Sequence, residues 1–161
     1  MPYKLRIDAS NVLALVSEYD LVIDGSDNFA TRYLLNDACY FARKPLVAAS
    51  LLRFEGQLST YKAHDGHSPC YRCIFPDRPP PGLIPRCEEA GILGAVAGVM
   101  GTLQAVETIK ELLGLGESLA GTLLIYDALG AQFRRIKIRR DPECDLCGPQ
   151  ATIREVQAQE A

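Results

Sequence analysis

The sequence predicts a mixed α/β domain: a sheet with one parallel crossover unit followed by antiparallel strands, flanked by helices and tied by a four-cysteine metal site. Three observations predict it. Within residues 21–52 a strand, a helix and a second strand follow one another, the order of a crossover unit. The later strand-like runs come as two pairs, 46–52 with 53–62 and 122–126 with 133–139, each joined without an intervening helix, which favours antiparallel pairing. Two Cys-x-x-Cys pairs, Cys70/Cys73 and Cys144/Cys147, stand in the second half of the chain. With 161 residues, 48% hydrophobic and 23% charged, the chain fits one globular domain with a sizeable core.

Asn11, a good N-cap, precedes Val12, Leu13, Leu15 and Val16, which predicts a short helix. Leu21-Val22-Ile23, flanked by Asp20 and Asp24, reads as a short buried strand. It begins so close to the first residue that the chain is expected to be a piece of a longer protein. A turn at Gly25–Asn28 leads into a helix over Phe29–Arg43, with Leu34, Leu35, Ala38, Cys39, Phe41 and Ala42 inward and Pro45 ending it. Leu46–Leu52 is an apolar strand. Arg53–Lys62 alternates, with Phe54, Leu58 and Thr60 on one face and Glu55, Gln57 and Ser59 on a face expected to be wet.

Pro76, Pro79, Pro80, Pro81, Gly82 and Pro85 make His64–Arg86 a loop. Ile92–Leu113 carries the longest helical pattern, closed by Gly114. Gly94, Gly98, Gly101 and Ala105 form a small-residue stripe where another backbone is expected to approach closely. Thr122–Tyr126 and Phe133–Arg139 are two strands turning around Gly130, and residues 149–161 read as a polar tail or linker without a core partner.

The net charge of −3 argues against a phosphate-tracking nucleic-acid binder. Ala90–Val106 is uncharged but only 17 residues long, short of the roughly 20 of a membrane span, so it is read as a buried helix. Met1–Asp8 has no signal-peptide core. A soluble, cytoplasmic protein is expected.

Without a secretory signal, cysteines point to metal or thiol chemistry rather than a disulfide framework. Two thiolates three residues apart can hold one side of a tetrahedral ion, and a second pair completes it. The alternatives are buried free thiols or redox pairs, but neither knuckle lies between a strand and a helix as a redox motif does. About 70 residues separate the pairs, so a zinc ion would clip the proline-rich loop to the end of the last strand. Four protein ligands leave no open position, so that zinc is structural. Gly148 is expected to let the backbone turn sharply after the second knuckle.

Asp27 lies just past the carboxyl end of the first strand, the edge where ligands bind in open α/β sheets. It can hold Mg2+, although spacing alone favours Asp27 and Asn28 as caps of the next helix. Cys87 follows the proline-rich loop and precedes the long helix, a place that can lower a thiol pKa, while Glu88 and Glu89 oppose this and Arg86 partly offsets them. Cys39 reads as core, and His64 and His67 as solvated loop residues beside Asp65.

Taken together, several motifs resemble the C-terminal half of the MoeB/ThiF adenylyltransferases, relatives of ubiquitin-activating enzymes. The resemblance covers residues 20–148. It is carried by Asp24-Gly25-Ser26-Asp27-Asn28-Phe29 with Arg32, by Asn36-Asp37-Ala38-Cys39, and by Arg53-Phe54-Glu55-Gly56-Gln57. Both knuckles, Cys87-Glu88-Glu89-Ala90-Gly91 and Gly101-Thr102-Leu103-Gln104-Ala105-Val106-Glu107 match as well. The proline-rich loop and the tail look most like rhodanese-fused members.

The resemblance implies a Rossmann-like mixed sheet and a reaction. Mg-ATP adenylates the C-terminal glycine of a ubiquitin-like sulfur-carrier protein, for molybdenum cofactor, thiamine or related thiolation. It implies Asp27 as the acid that binds Mg-ATP, Cys70, Cys73, Cys144 and Cys147 as zinc ligands, and Cys87 as the cysteine some members use for acyl or sulfur transfer. It further implies a homodimer packing on the glycine-striped helix, and a rhodanese-type sulfur donor. The glycine-rich nucleotide loop is missing from these residues. Residues 1–148 are therefore expected to be a partial domain lacking its N-terminal nucleotide-binding half, inactive alone. The competing expectation is a non-catalytic zinc-stabilised module that binds a carrier or a full-length paralogue. A dinucleotide oxidoreductase is set aside because no G-x-G-x-x-G is present.

Overall fold

The computed structural model describes residues 1–80 and 91–159. In chain order the elements are α1 (Val12–Ser17), β1 (Val22–Asp24), α2 (Phe29–Ala42), β2 (Leu46–Leu52), β3 (Glu55–Tyr61), α3 (Gly94–Leu113), β4 (Thr122–Asp127) and β5 (Gln132–Lys137). Single 3-10 turns at Ala63–Asp65 and Tyr71–Cys73 punctuate the stretch expected to be loop.

The five strands form one sheet in sequence order. Only β1 and β2 run parallel, with Val22 opposite Leu46; every later pair is antiparallel. The expected mixed sheet is present. Helices cover both faces. On one side α1 and α2 bring Val12, Val16, Tyr33, Leu34 and Ala38 against Leu46, Ala48 and Tyr61. On the other, Val96 and Met100 of α3 pack on Val47, Ala49 and Leu58. That contact requires a glycine in β3. A Cβ at Gly56 would lie 2.4 Å from Cγ of Met100.

Several expectations need correction. The supposed wet face of β3 is dry at its end: Ser59 is fully buried. Its hydroxyl donates to the Thr122 carbonyl at 2.9 Å, which removes the penalty of burial. Phe54 lies outside the strand and is exposed. The long helix is buried along one stripe only, through Val96, Met100, Gln104, Glu107 and Thr108. The small residues face outward, and no backbone of this chain approaches them: nothing among the described residues lies within 4 Å of a Cβ placed on Gly94, Gly98 or Gly101. The segment after Gly148 is no free tail. Ala151 is buried, Ile153 packs on the cysteine cluster and Val156 on the α1–α2 core. Among the described residues no helix is long and apolar enough to cross a membrane.

Candidate functional site

The two knuckles come together. Cys70 and Cys73 flank the 3-10 turn at Tyr71–Cys73, and Cys144 and Cys147 lie in turns beyond β5. Sγ–Sγ separations are 3.8 Å for Cys70–Cys73, 3.5 Å for Cys70–Cys144 and 3.4 Å for Cys73–Cys147. All four sulfurs lie within 4.8 Å of one another. Zinc–sulfur bonds of about 2.3 Å in a tetrahedron put sulfurs about 3.8 Å apart, so the spacing fits one ion. No disulfide joins them. Packed this closely, the four thiols shift one another in opposite directions through their mutual hydrogen bonds, Cys144 and Cys73 down and Cys70 and Cys147 up.

Other residues build the cluster from both sides. Arg72, inside the first knuckle, donates from Nε and Nη2 to the two oxygens of Asp37 at 2.9 and 2.8 Å. Asp37 is fully buried on α2. Its neighbour Asn36 accepts the Tyr71 N–H at 2.8 Å. Arg140, just past β5, donates to the Ala63 and Ser68 carbonyls at 2.6 and 3.2 Å and to the Cys147 carbonyl. It joins the loop of the first knuckle to the second. Gly148 serves by its size rather than by a sharp turn. A Cβ there would meet the Cys144 and Pro142 carbonyl oxygens at 2.6 and 2.7 Å, while its φ is not positive.

The carboxyl end of β1 holds two acids in different states. Asp24, 1% exposed, accepts the Ser26 N–H at 2.8 Å. Its Oδ2 lies 3.5 Å from Nη1 of Arg32 and has no hydrogen-bond partner among the described residues. Arg32 also donates to the carbonyls of Ala49 and Ser26, at 2.9 and 2.5 Å. From α3, Gln104 Nε2 donates to the carbonyls of Asp24 and Val47, at 2.8 and 3.0 Å. It thereby fastens the ends of both parallel strands. Asn28 caps α2 by accepting the Thr31 N–H at 2.8 Å. Asp27 takes no part in that cap; among the described residues its exposed carboxylate accepts only from Asn28 Nδ2, at 3.3 Å. Asp24, Arg32, Asp37, Arg72 and Gln104 entered the sequence reading only as members of matching motifs, without a role, and Arg140 not at all. Charge and amide type were visible, but nothing local announced their burial.

The remaining candidates separate cleanly. Cys39 is core, with burial and then the Asp24 charge pushing its thiol up to about 12. His64 is half-buried, His67 is exposed, and neither joins the cysteines. Cys87, with residues 81–86 of the proline-rich segment before it, lies outside the described residues. A hollow of about 450 Å³ opens at the β2–β3 hairpin, lined by Leu52, Arg53, Phe54, Glu55, Asp127 and Leu129 and not by Asp27.

A family model described as the ThiF family matches residues 1–146. The chain belongs to the ThiF family. This ThiF chain is 48% identical to a sulfur carrier protein adenylyltransferase of Thermus thermophilus, over 99% of its own length and 60% of the relative. It is 51% identical to the adenylyltransferase and sulfurtransferase MOCS3 of Sus scrofa, over 98% of its length and 34% of that protein. The ThiF chain thus spans between a third and three-fifths of these relatives. Among solved structures it is similar to E. coli MccB with MccA-N7isoASN, at a TM-score of 0.71 and 18% identity, over 91% of this chain and 46% of that one. At that identity the likeness speaks for the fold alone.

Proposed function

We propose that these residues form part of an ATP-dependent adenylyltransferase that activates the C-terminal glycine of a ubiquitin-like sulfur carrier, and that the four cysteines hold a structural zinc. The observation that carries the reading is identity near one half, over almost the whole chain, with one protein named a sulfur carrier protein adenylyltransferase and another named an adenylyltransferase and sulfurtransferase. The geometry agrees with it. Asp27 offers a solvent-facing carboxylate at the end of a parallel strand, free of capping duty, where Mg2+ with its retained waters can take one oxygen. Asp24, bound to Arg32 and braced by Gln104, fixes the turn that presents Asp27.

Zinc supplies fold stability here: four thiolates close its coordination, so it leaves no position for substrate. Cys87 is the proposed acceptor for acyl or sulfur transfer, and a rhodanese-type partner the proposed sulfur donor. The parent enzyme is proposed to be a homodimer. Adenylation also needs donors that cradle the phosphates, and no G-x-G-x-x-G occurs in the 161 residues. The chain by itself is therefore proposed to be inactive.

ATP–pyrophosphate exchange with the carrier tests the reading. The chain alone should give none. Substituted for the matching residues of the Thermus thermophilus relative, it should restore exchange that Asp27→Ala removes. A folded chimera that exchanges equally well with Asp27→Ala refutes the role of Asp27; one that never exchanges refutes the activity. Zinc should measure one per chain and disappear in Cys144→Ser/Cys147→Ser.

A further inference from the structure

β5 is an edge strand: it pairs with β4 and with no other described strand. All six of its residues are exposed. The Ile138 N–H donates inward to the Gly121 carbonyl. By strand alternation the amides and carbonyls of Phe133, Arg135 and Lys137 therefore point away from the sheet, unpaired. Four cations crowd this edge in a chain of net charge −3: Arg134, Arg135, Lys137 and Arg139. Among the described residues only Arg134 has an ion pair, with Glu55 at 4.0 Å, both side chains about 60% exposed. Between the charges, Phe133 and Ile136 are 51% and 45% exposed.

Charged residues commonly guard an edge against unwanted pairing. A guard has no use for two open apolar side chains interleaved with its charges. We propose that β5 is a docking edge for an acidic, extended segment of a partner protein, which adds to the sheet as a further antiparallel strand. Its amides meet those of Phe133, Arg135 and Lys137, its carboxylates face the cations, and its apolar residues cover Phe133 and Ile136. A second copy of β5 is a poor occupant, because antiparallel self-pairing sets Arg135 beside Arg135 or Lys137, and like charges opposite one another repel.

The test uses the full chain and a synthetic peptide, Thr-Glu-Val-Glu-Glu-Val-Thr, with a second peptide of the same charge in which both valines are proline. The first should bind, slow hydrogen exchange of the Phe133, Arg135 and Lys137 amides, and weaken as salt is raised. Charge reversal by Arg135→Glu/Lys137→Glu, both fully surface changes, should weaken it by roughly tenfold or more. The proline peptide should not bind, since it lacks donors for a ladder. Equal binding of both peptides, or binding without amide protection, would show a charged surface and no strand site. Preferential binding of single-stranded RNA would reassign the edge, and concentration-dependent self-association through β5 would assign it to a second copy. Each of these outcomes overturns the proposal.

Discussion

The Asp37–Arg72 pair offers the sharpest test of how the cysteine site is held. Asp37 is 0% exposed on its side chain and Arg72 13%. Both carboxylate oxygens are engaged by the guanidinium, and Oδ1 also accepts from Asn36 at 3.1 Å. Asp37→Leu leaves the guanidinium buried over the Tyr33 ring, 4.7 Å from its centroid, without a counter-charge. Arg72→Met leaves a carboxylate with no cation in a dry site. Breaking one side of such a pair costs about 3–5 kcal/mol. With a urea slope of about 2 kcal/mol/M, each single variant should lower the unfolding midpoint by roughly 2 M. The double variant, Asp37→Leu/Arg72→Met, buries no unpaired charge and should be more stable than either single one. The assay is equilibrium urea unfolding with zinc in excess, so that metal loss does not enter. Singles within about 1 kcal/mol of wild type would refute the anchoring role. So would a double variant that loses the sum of both.

Gly148→Ala forces a methyl against the Cys144 and Pro142 carbonyls and should reduce bound zinc per chain, measured by metal analysis after dialysis. Gln104→Leu removes the donor to two buried carbonyls and should cost about 1–3 kcal/mol in urea unfolding, while leaving zinc content unchanged. Cys39 titrates near 12 in the folded chain and near its ordinary value when unfolded. The unfolded state therefore binds fewer protons between about pH 9 and 12, and stability must fall as pH rises through that window. Cys39→Ala should lessen that alkaline slope, and an unchanged slope would refute the assignment.

Much of this fold was legible along the chain because single-strand and single-helix patterns are local. Leu46–Leu52 was read with the bounds that the structure gives it, and Gly114 does end the long helix in the left-handed conformation. The errors concern polarity at contacts between elements. Ser59 looked like a residue that wants water, and Thr60, read on the opposite face with Leu58, showed no partner. Thr60 instead donates to Glu107 of α3 at 3.0 Å, and Glu107 accepts the Leu119 N–H at 2.6 Å as well. A satisfied polar side chain is indistinguishable from a wet one until its partner, 47 residues away, is known. The glycine stripe poses the converse problem. Spacing shows that a face is small, and says nothing about whether anything lies on it. The cysteines succeeded because four identical ligands in two fixed spacings encode their own partnership, whereas Arg72, Arg140 and Asp37 each gave a charge and no address.

The cysteine site and the sheet-end acids are not separate constructions, because α2 carries an anchor for each. Its first turns hold Asn28, which caps it, and Arg32, which meets Asp24. Five residues later, about 7–8 Å along the axis, Asn36 and Asp37 grip the first knuckle. A 14-residue helix packed on the sheet through Tyr33, Leu34 and Ala38 moves as one body, since its own ladder resists bending over so short a span. Closing the knuckles therefore fixes the position of Arg32, and through it Asp24 and the turn that carries Asp27. A metal held by the four cysteines, far along the sequence from the sheet end, would in this way set the geometry of a carboxylate it never touches.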